Sequence, residues 1–241
     1  MNGEAERVYD MQGRSYFNQE LFGFLRELKA NNNRVWFQAN KPRYEREAKG
    51  PMLRFIADFG DRLSTISKYF TADPRPVGGS MFRIYRDTRF SHDKSPYKTA
   101  AAAHFAHNNC GKDVHAPGFY LHLDPGECLG GGGLWHPDGP SLKMVRDSIV
   151  SHSKEWKAVL GSGIIIEGDA LKRPPHGYNP EHPFISDIKR KDFYTMKTFS
   201  EADVCAPDFM DRYLDACRAA APLVAFLTKA VDLPWLGGIM C

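Results

Sequence analysis

The sequence predicts an α+β protein, with helical layers packed on a central antiparallel or mixed sheet. Three observations lead there. Segments of helical period open and close the chain, strand-like segments cluster between them, and hairpin-length turns rather than crossover helices separate several of those strands. No βαβ repeat, internal repeat or long linker is visible, so residues 16–241 are expected to form one domain behind a polar, flexible segment, 1–15.

Leu21, Phe22, Leu25 and Leu28 share one helical face, with Asn18 as cap. The run Asn31-Asn32-Asn33 ends that helix, because asparagine tolerates left-handed backbone and bonds to its own main chain. Arg34 to Lys49 is helical around Trp36 and Phe37. Pro42 reads as a first-turn residue that would divide this stretch in two, and Gly50-Pro51 punctuates it. Met52, Phe55, Ile56, Phe59, Leu63 and Ile66 then form the cleanest helical stripe in the chain.

FRIYRDTRF reads as a strand with Phe82 and Ile84 on one face and Arg83, Tyr85 and Asp87 on the other. Residues 99–106 are ambiguous: four alanines favour helix, and the setting between strands favours strand. GFYLHLDPGE alternates best, with Phe119, Leu121 and Leu123 inward and Tyr120, His122 and Asp124 outward. Its Asp-Pro-Gly turn allows CLGGGGLW to return antiparallel, the four glycines implying a bulge or a close backbone approach. Helix resumes at Pro140 behind Asp138 or Gly139, residues 161–182 are irregular, and DFYTMKTF is the last strand. A long helix follows from Pro207, with a bend or restart at Pro222, and the apolar tail LPWLGGIMC packs back on the body.

Forty-two per cent hydrophobic and 25% charged side chains exclude collagen-like, low-complexity and wholly disordered chains. A net charge of +3 is too small to mark a dedicated nucleic-acid binder, so anion recognition must come from local charge placement. Five scattered cysteines without a C-x-x-C read as free thiols of a reducing compartment. The sequence shows no membrane-length apolar run and no apolar signal core, so the expected location is cytoplasmic, with no membrane contact.

The blocks NNNRVWFQANKPRYE, RPVGGSMFRIYRDTRFSHDKSPYKT, HAPGFYLHLDPGE, GGGLWHPDG, LKRPPHGYNPEHP and KRKDF, in this order, resemble the DUF2461 family of uncharacterised conserved bacterial and fungal proteins. The resemblance spans roughly residues 16–230 and implies one soluble domain with no established activity. Family members usually read Lys-Thr-His where this chain has Lys98-Thr99-Ala100, and its next histidine is His104. No role for the family histidine carries over.

Arg83, Arg86, Arg89, Lys94 and Lys98 outnumber Asp87 and Asp93, and arginine's planar fork suits carboxylate or phosphate. The competing reading pairs the arginines with those aspartates. SHDKSPYKT adds hydroxyls, Tyr97 among them, beside Lys94 and Lys98, forming either an anion nest or an ordinary ordered loop. In the outward trio, Tyr120 and His122 face a ligand and Asp124 tunes His122 as acid–base, against a merely structural histidine on a half-wet sheet. His136 would approach this trio across the hairpin, and Lys172 and Arg173 in LKRPPHGY read as a clamp over a groove or as wet surface. His104-x-x-His107-x-x-Cys110 has zinc-type ligands but not a closed zinc pattern, so no metal site is assigned. LGGGGLW lacks the Lys-Ser/Thr of a P-loop, and Gly78-Gly79-Ser80 is no nucleophile elbow.

The favoured reading is a binder of a small phosphate- or carboxylate-bearing molecule. The alternatives are a metal-independent enzyme using His122 on such a ligand, or a nucleic-acid binder. The sequence names no cofactor and leaves the oligomeric state open.

Overall fold

A computed structural model describes residues 15–111, 113 and 115–237. The expectation of a flexible start therefore lies, apart from Ser15, outside the described residues, as do the last four residues of the tail.

Helix α1 (Gln19–Ala30) begins where the Asn18 side chain accepts from the Glu20 N–H at 3.0 Å, and it buries Leu21, Phe22, Phe24, Leu25 and Leu28. Asn33 caps α2 (Arg34–Arg43), accepting from the Trp36 N–H at 2.9 Å. The expected division at Pro42 and stop at Gly50-Pro51 do not occur. The chain passes through a π-helical turn (Tyr44–Lys49) into α3 (Gly50–Ser64), whose buried stripe is the one read from the sequence. The widened turn falls between Pro42 and Pro51, whose missing N–H groups interrupt the ordinary ladder on both sides.

The segment FRIYRDTRF is not a regular strand. It forms one side of an extended arm, residues 80–98, joined by single bridges at Met81↔Ala103 and Tyr85↔Tyr97. The Phe82 N–H first donates to the Ala102 carbonyl at 2.9 Å, and then the chain changes partner, with Lys98 N–H to Ile84 O at 2.7 Å and Arg86 N–H to Pro96 O at 2.9 Å. The next bond would need an N–H on Pro96, so the ladder stops there.

Strands β1 (Ala101–Ala106), β2 (Gly118–Asp124), β3 (Glu127–Leu134) and β4 (Phe193–Phe199) form one antiparallel sheet in the order β1-β2-β3-β4. The ambiguous 99–106 segment is thus a strand, with Ala103 opposite Leu121 and Phe105 opposite Phe119 on the core face. Gly126, at φ 87°, makes the turn between β2 and β3, and β3 returns as the predicted hairpin partner.

After β3 come α4 (Gly139–Ser151), capped by Asp138, then α5 (Ser153–Gly161), an irregular stretch and α6 (Ile185–Ile188). After β4 come α7 (Glu201–Val204) and α8 (Phe209–Ala230), which runs through Pro222 without restarting. Helix α8 lies directly on β3, and the glycine run is what admits it. A Cβ at Gly130 would stand 2.7 Å from the Tyr213 ring, and one at Gly132 would stand 2.8 Å from a Val224 methyl. One apolar cluster joins α1, α3, β1 and β2 to Tyr213 and Val224 of α8, and a second joins α4, α5 and Phe193 to Leu223, Phe226 and Leu227. The tail is held where the buried His107 ring meets the Pro234 carbonyl at 2.9 Å and Trp235 packs on Phe70. No helix among the described residues is long and apolar enough to cross a membrane.

Candidate functional site

The face of the sheet turned away from α8 is the floor of a cavity of about 730 Å³. Strand alternation decides what lies there. With Phe119, Leu121 and Leu123 packed into the core, Tyr120 and His122 must face the cavity, and the register sets His104 opposite Tyr120 and Ala102 opposite His122. Small residues leave the space open: Ala100, Ala102, Ala116, Gly118 and Gly133 all border it. Gly118 is required in particular, since a Cβ there would lie 2.4 Å from His104 Nε2.

The arm supplies a wall through Phe82, Arg86, Asp93, Ser95, Tyr97 and Lys98, continued by Thr99 just beyond it. Asn32, at the corner between α1 and α2, fixes that wall: its amide donates to the Tyr97 carbonyl at 2.9 Å and accepts from the Tyr97 N–H at 3.1 Å. Tyr97 also stacks on Phe37 with centroids 4.1 Å apart. Trp135, Tyr194 and Met196 close the far side, and Lys29 stands exposed at the rim.

Six of the residues singled out in the sequence meet here: Arg86, Tyr97, Lys98, Tyr120, His122 and Asp124. The other six do not line the cavity, and the expected arginine clamp is not formed. Arg83 points to solvent, Arg89 pairs with Asp87 at 2.7 Å, and Arg86, although at the wall, is already paired with Asp93. The Arg89 fork holds the Asp87 carboxyl down at about 2, and Ser95 with Arg86 holds that of Asp93 below the usual carboxylate range. Lys94 donates to the Thr88 carbonyl at 2.9 Å. His136 takes a corner of positive φ, 48°, where its backbone N–H donates to the buried Asp192 at 2.7 Å. Lys172 and Arg173 are exposed on the irregular segment and clamp nothing over the cavity.

Asp124 does not orient His122. Thr99 donates to Asp124 at 3.2 Å, whereas the Nδ1 of His122 meets the Tyr120 hydroxyl at 3.0 Å. Burial lowers the His122 pKa against the opposing pull of Asp124 and Glu127, and it lowers that of His104 to about 4. Burial also pushes Tyr120 up to about 12. The floor is therefore a strip of uncharged hydrogen-bonding groups at neutral pH. Lys98 differs. Its ammonium lies 4.8 Å from the centre of the Phe82 ring, it is half-buried, and it forms no ion pair or side-chain hydrogen bond among the described residues. Burial, followed by repulsion from Arg83, lowers its pKa.

Sequence reasoning missed His104, Asn32 and Phe82 as site residues, while Thr99 was among the hydroxyls of the SHDKSPYKT loop. For His104 the signal was present: if 99–106 is a strand with Phe105 inward, His104 must project to the face of Tyr120. The zinc-type trio built on it separates, because His107 is buried under the tail. Among the described residues no group of three or more His, Cys, Asp or Glu side chains is placed to hold a metal ion. The four described cysteines, Cys110, Cys128, Cys205 and Cys217, are free thiols.

An antiparallel four-strand sheet, α-helices on one face and an open cavity on the other define an α+β protein with a small-molecule-sized recess. The family model described as a conserved hypothetical protein, DUF2461, matches residues 20–226, and the chain belongs to that family. No curated protein and no solved structure matches it. Ala100 borders the cavity.

Proposed function

We propose that this protein binds a small anionic molecule in the cavity between the arm and the sheet, with Lys98 as its anion contact. The observation that carries the reading is a half-buried ammonium with no carboxylate partner among the described residues, at the wall of a mostly apolar recess. Burying a cation costs free energy unless it is paired, and a bound anion would supply the missing partner. The volume lies within the usual range for small-ligand pockets. A thermal-shift screen of organic acids, phosphosugars and nucleotides tests this reading. A ligand that stabilises the wild type should lose its effect in Lys98→Met. Stabilisation of equal size in both proteins overturns the assignment of Lys98.

A second reading, proton transfer by His122 on the bound molecule, draws support from the Tyr120 hydroxyl that fixes its ring. His122→Asn should then abolish turnover while leaving binding nearly intact, and unchanged turnover refutes it. The nucleic-acid alternative has weaker support, because Arg86 and Arg89 are each held by a neighbouring aspartate.

A further inference from the structure

We infer that the ligand of this cavity is a monocarboxylate with a flat, largely apolar body and a neutral polar substituent, rather than a nucleotide or sugar phosphate. The inference rests on the anion-binding reading and specifies its ligand.

Charge sets the head group. Among the described residues three cations border the recess, but Arg86 is paired with Asp93 and Lys29 stands exposed at the rim, which leaves Lys98 as the half-buried cation for an anion. With Asp93 neutralised by Arg86, the Asp124 carboxylate borders the same space and opposes a second negative charge. A phosphate monoester carries about −1.5 to −2 at neutral pH and a carboxylate carries one charge. Polyphosphates are recognised by several forked or backbone donors, and among the described residues neither a free arginine fork nor a glycine-rich loop opening a helix borders this recess.

Shape sets the body. On the pleated floor Ala102 is small, the His104 imidazole covers Gly118, and the Tyr120 and His122 rings stand alongside, so a planar group meets ring surface there. Phe82 and Tyr120, 6.1 Å apart and edge to face, and Trp135 on the far side offer aromatic surface to its faces and edges. The neutral strip sets the substituent. Half-buried His104 and the Tyr120–His122 pair present hydrogen-bonding groups that stay uncharged at neutral pH, which suits a hydroxyl or carbonyl and not a second ion.

The test uses the full chain and matched probes: 6-hydroxy-2-naphthoate, its uncharged amide, glucose 6-phosphate and ATP, read by calorimetry at pH 7 on the wild type and Lys98→Met. The naphthoate should bind the wild type at least tenfold more tightly than the amide does. Lys98→Met should lose most of that tenfold difference while keeping its melting transition, and neither phosphate should bind. Tighter, Lys98-dependent binding of a phosphate overturns the ligand class and leaves the anion reading standing. Equal binding of acid and amide to both proteins overturns the anion reading itself. Failure of the naphthoate to bind at millimolar concentration overturns the ligand class.

Discussion

Lys98 is held at a cost to the unliganded protein. Its folded pKa lies below the ordinary 10.5, chiefly through burial, so the folded state holds that proton less tightly than the unfolded state does. The penalty is present throughout the neutral range and is relieved as pH climbs toward 10.5. Lys98→Met keeps an apolar chain over Phe82 and removes the charge, so it should raise the melting temperature of the unliganded protein at pH 7. A lowered melting temperature would mean that the ammonium has a stabilising partner within the fold. His104 gives a second handle on the same cavity. Its folded pKa of about 4 lies below the ordinary 6.5, so its contribution to stability is full above 6.5 and is lost as pH falls from 6.5 to about 4. His104→Gln should flatten the stability profile across that window in melts taken from pH 7 to 4. A slope identical to that of the wild type would assign the acid sensitivity elsewhere.

Among the elements, β3 and the arm show how far the sequence could be read. The alternation of β2 was legible because large apolar and polar side chains differ in kind, and it placed Tyr120, His122 and Asp124 correctly on one face. β1 was not, since alanine suits either element and only pairing with β2 decides. The arginine clamp failed for a related reason. Asp87 and Asp93 are visible beside Arg86 and Arg89, but the loop geometry that brings each pair together is not. Lys29 and Asn32 reach the site only through the tertiary docking of the first two helices. The glycines of β3 were legible as a demand for close approach, though not as to what approaches. Gly130→Ala should therefore destabilise, against the usual gain from replacing glycine, because the new methyl meets the buried Tyr213 ring; the expected loss is ~1–3 kcal/mol in urea titration. Asp192 stitches β4 to two loops by accepting the N–H groups of His136 at 2.7 Å and Asp169 at 3.2 Å. Asp192→Ala should cost ~1–3 kcal/mol by stranding those donors.

For the whole molecule, α8 contributes the most residues to each of the two apolar clusters, with β3 and β4 also entering both. Trp36 packs on the first cluster and Trp156 is buried in the second, so emission from the two indoles reports the two halves separately. Leu227→Ala lies in the second cluster and should cost ~2–5 kcal/mol. If α8 couples the halves into one cooperative unit, single-tryptophan variants carrying Leu227→Ala should melt at one shared, lowered temperature. Separate transitions would make the two clusters independent units. The same packing backs the sheet beneath the cavity, with α8 on one face and the open recess on the other. A crystal structure of the protein soaked with 6-hydroxy-2-naphthoate examines that arrangement most directly. The carboxylate should lie within hydrogen-bonding distance of Lys98 Nζ with the ring over Ala102, beside Phe82 and Tyr120. A crystal in which the recess stays empty at saturating ligand, or in which Lys98 Nζ contacts a protein carboxylate instead, would contradict it.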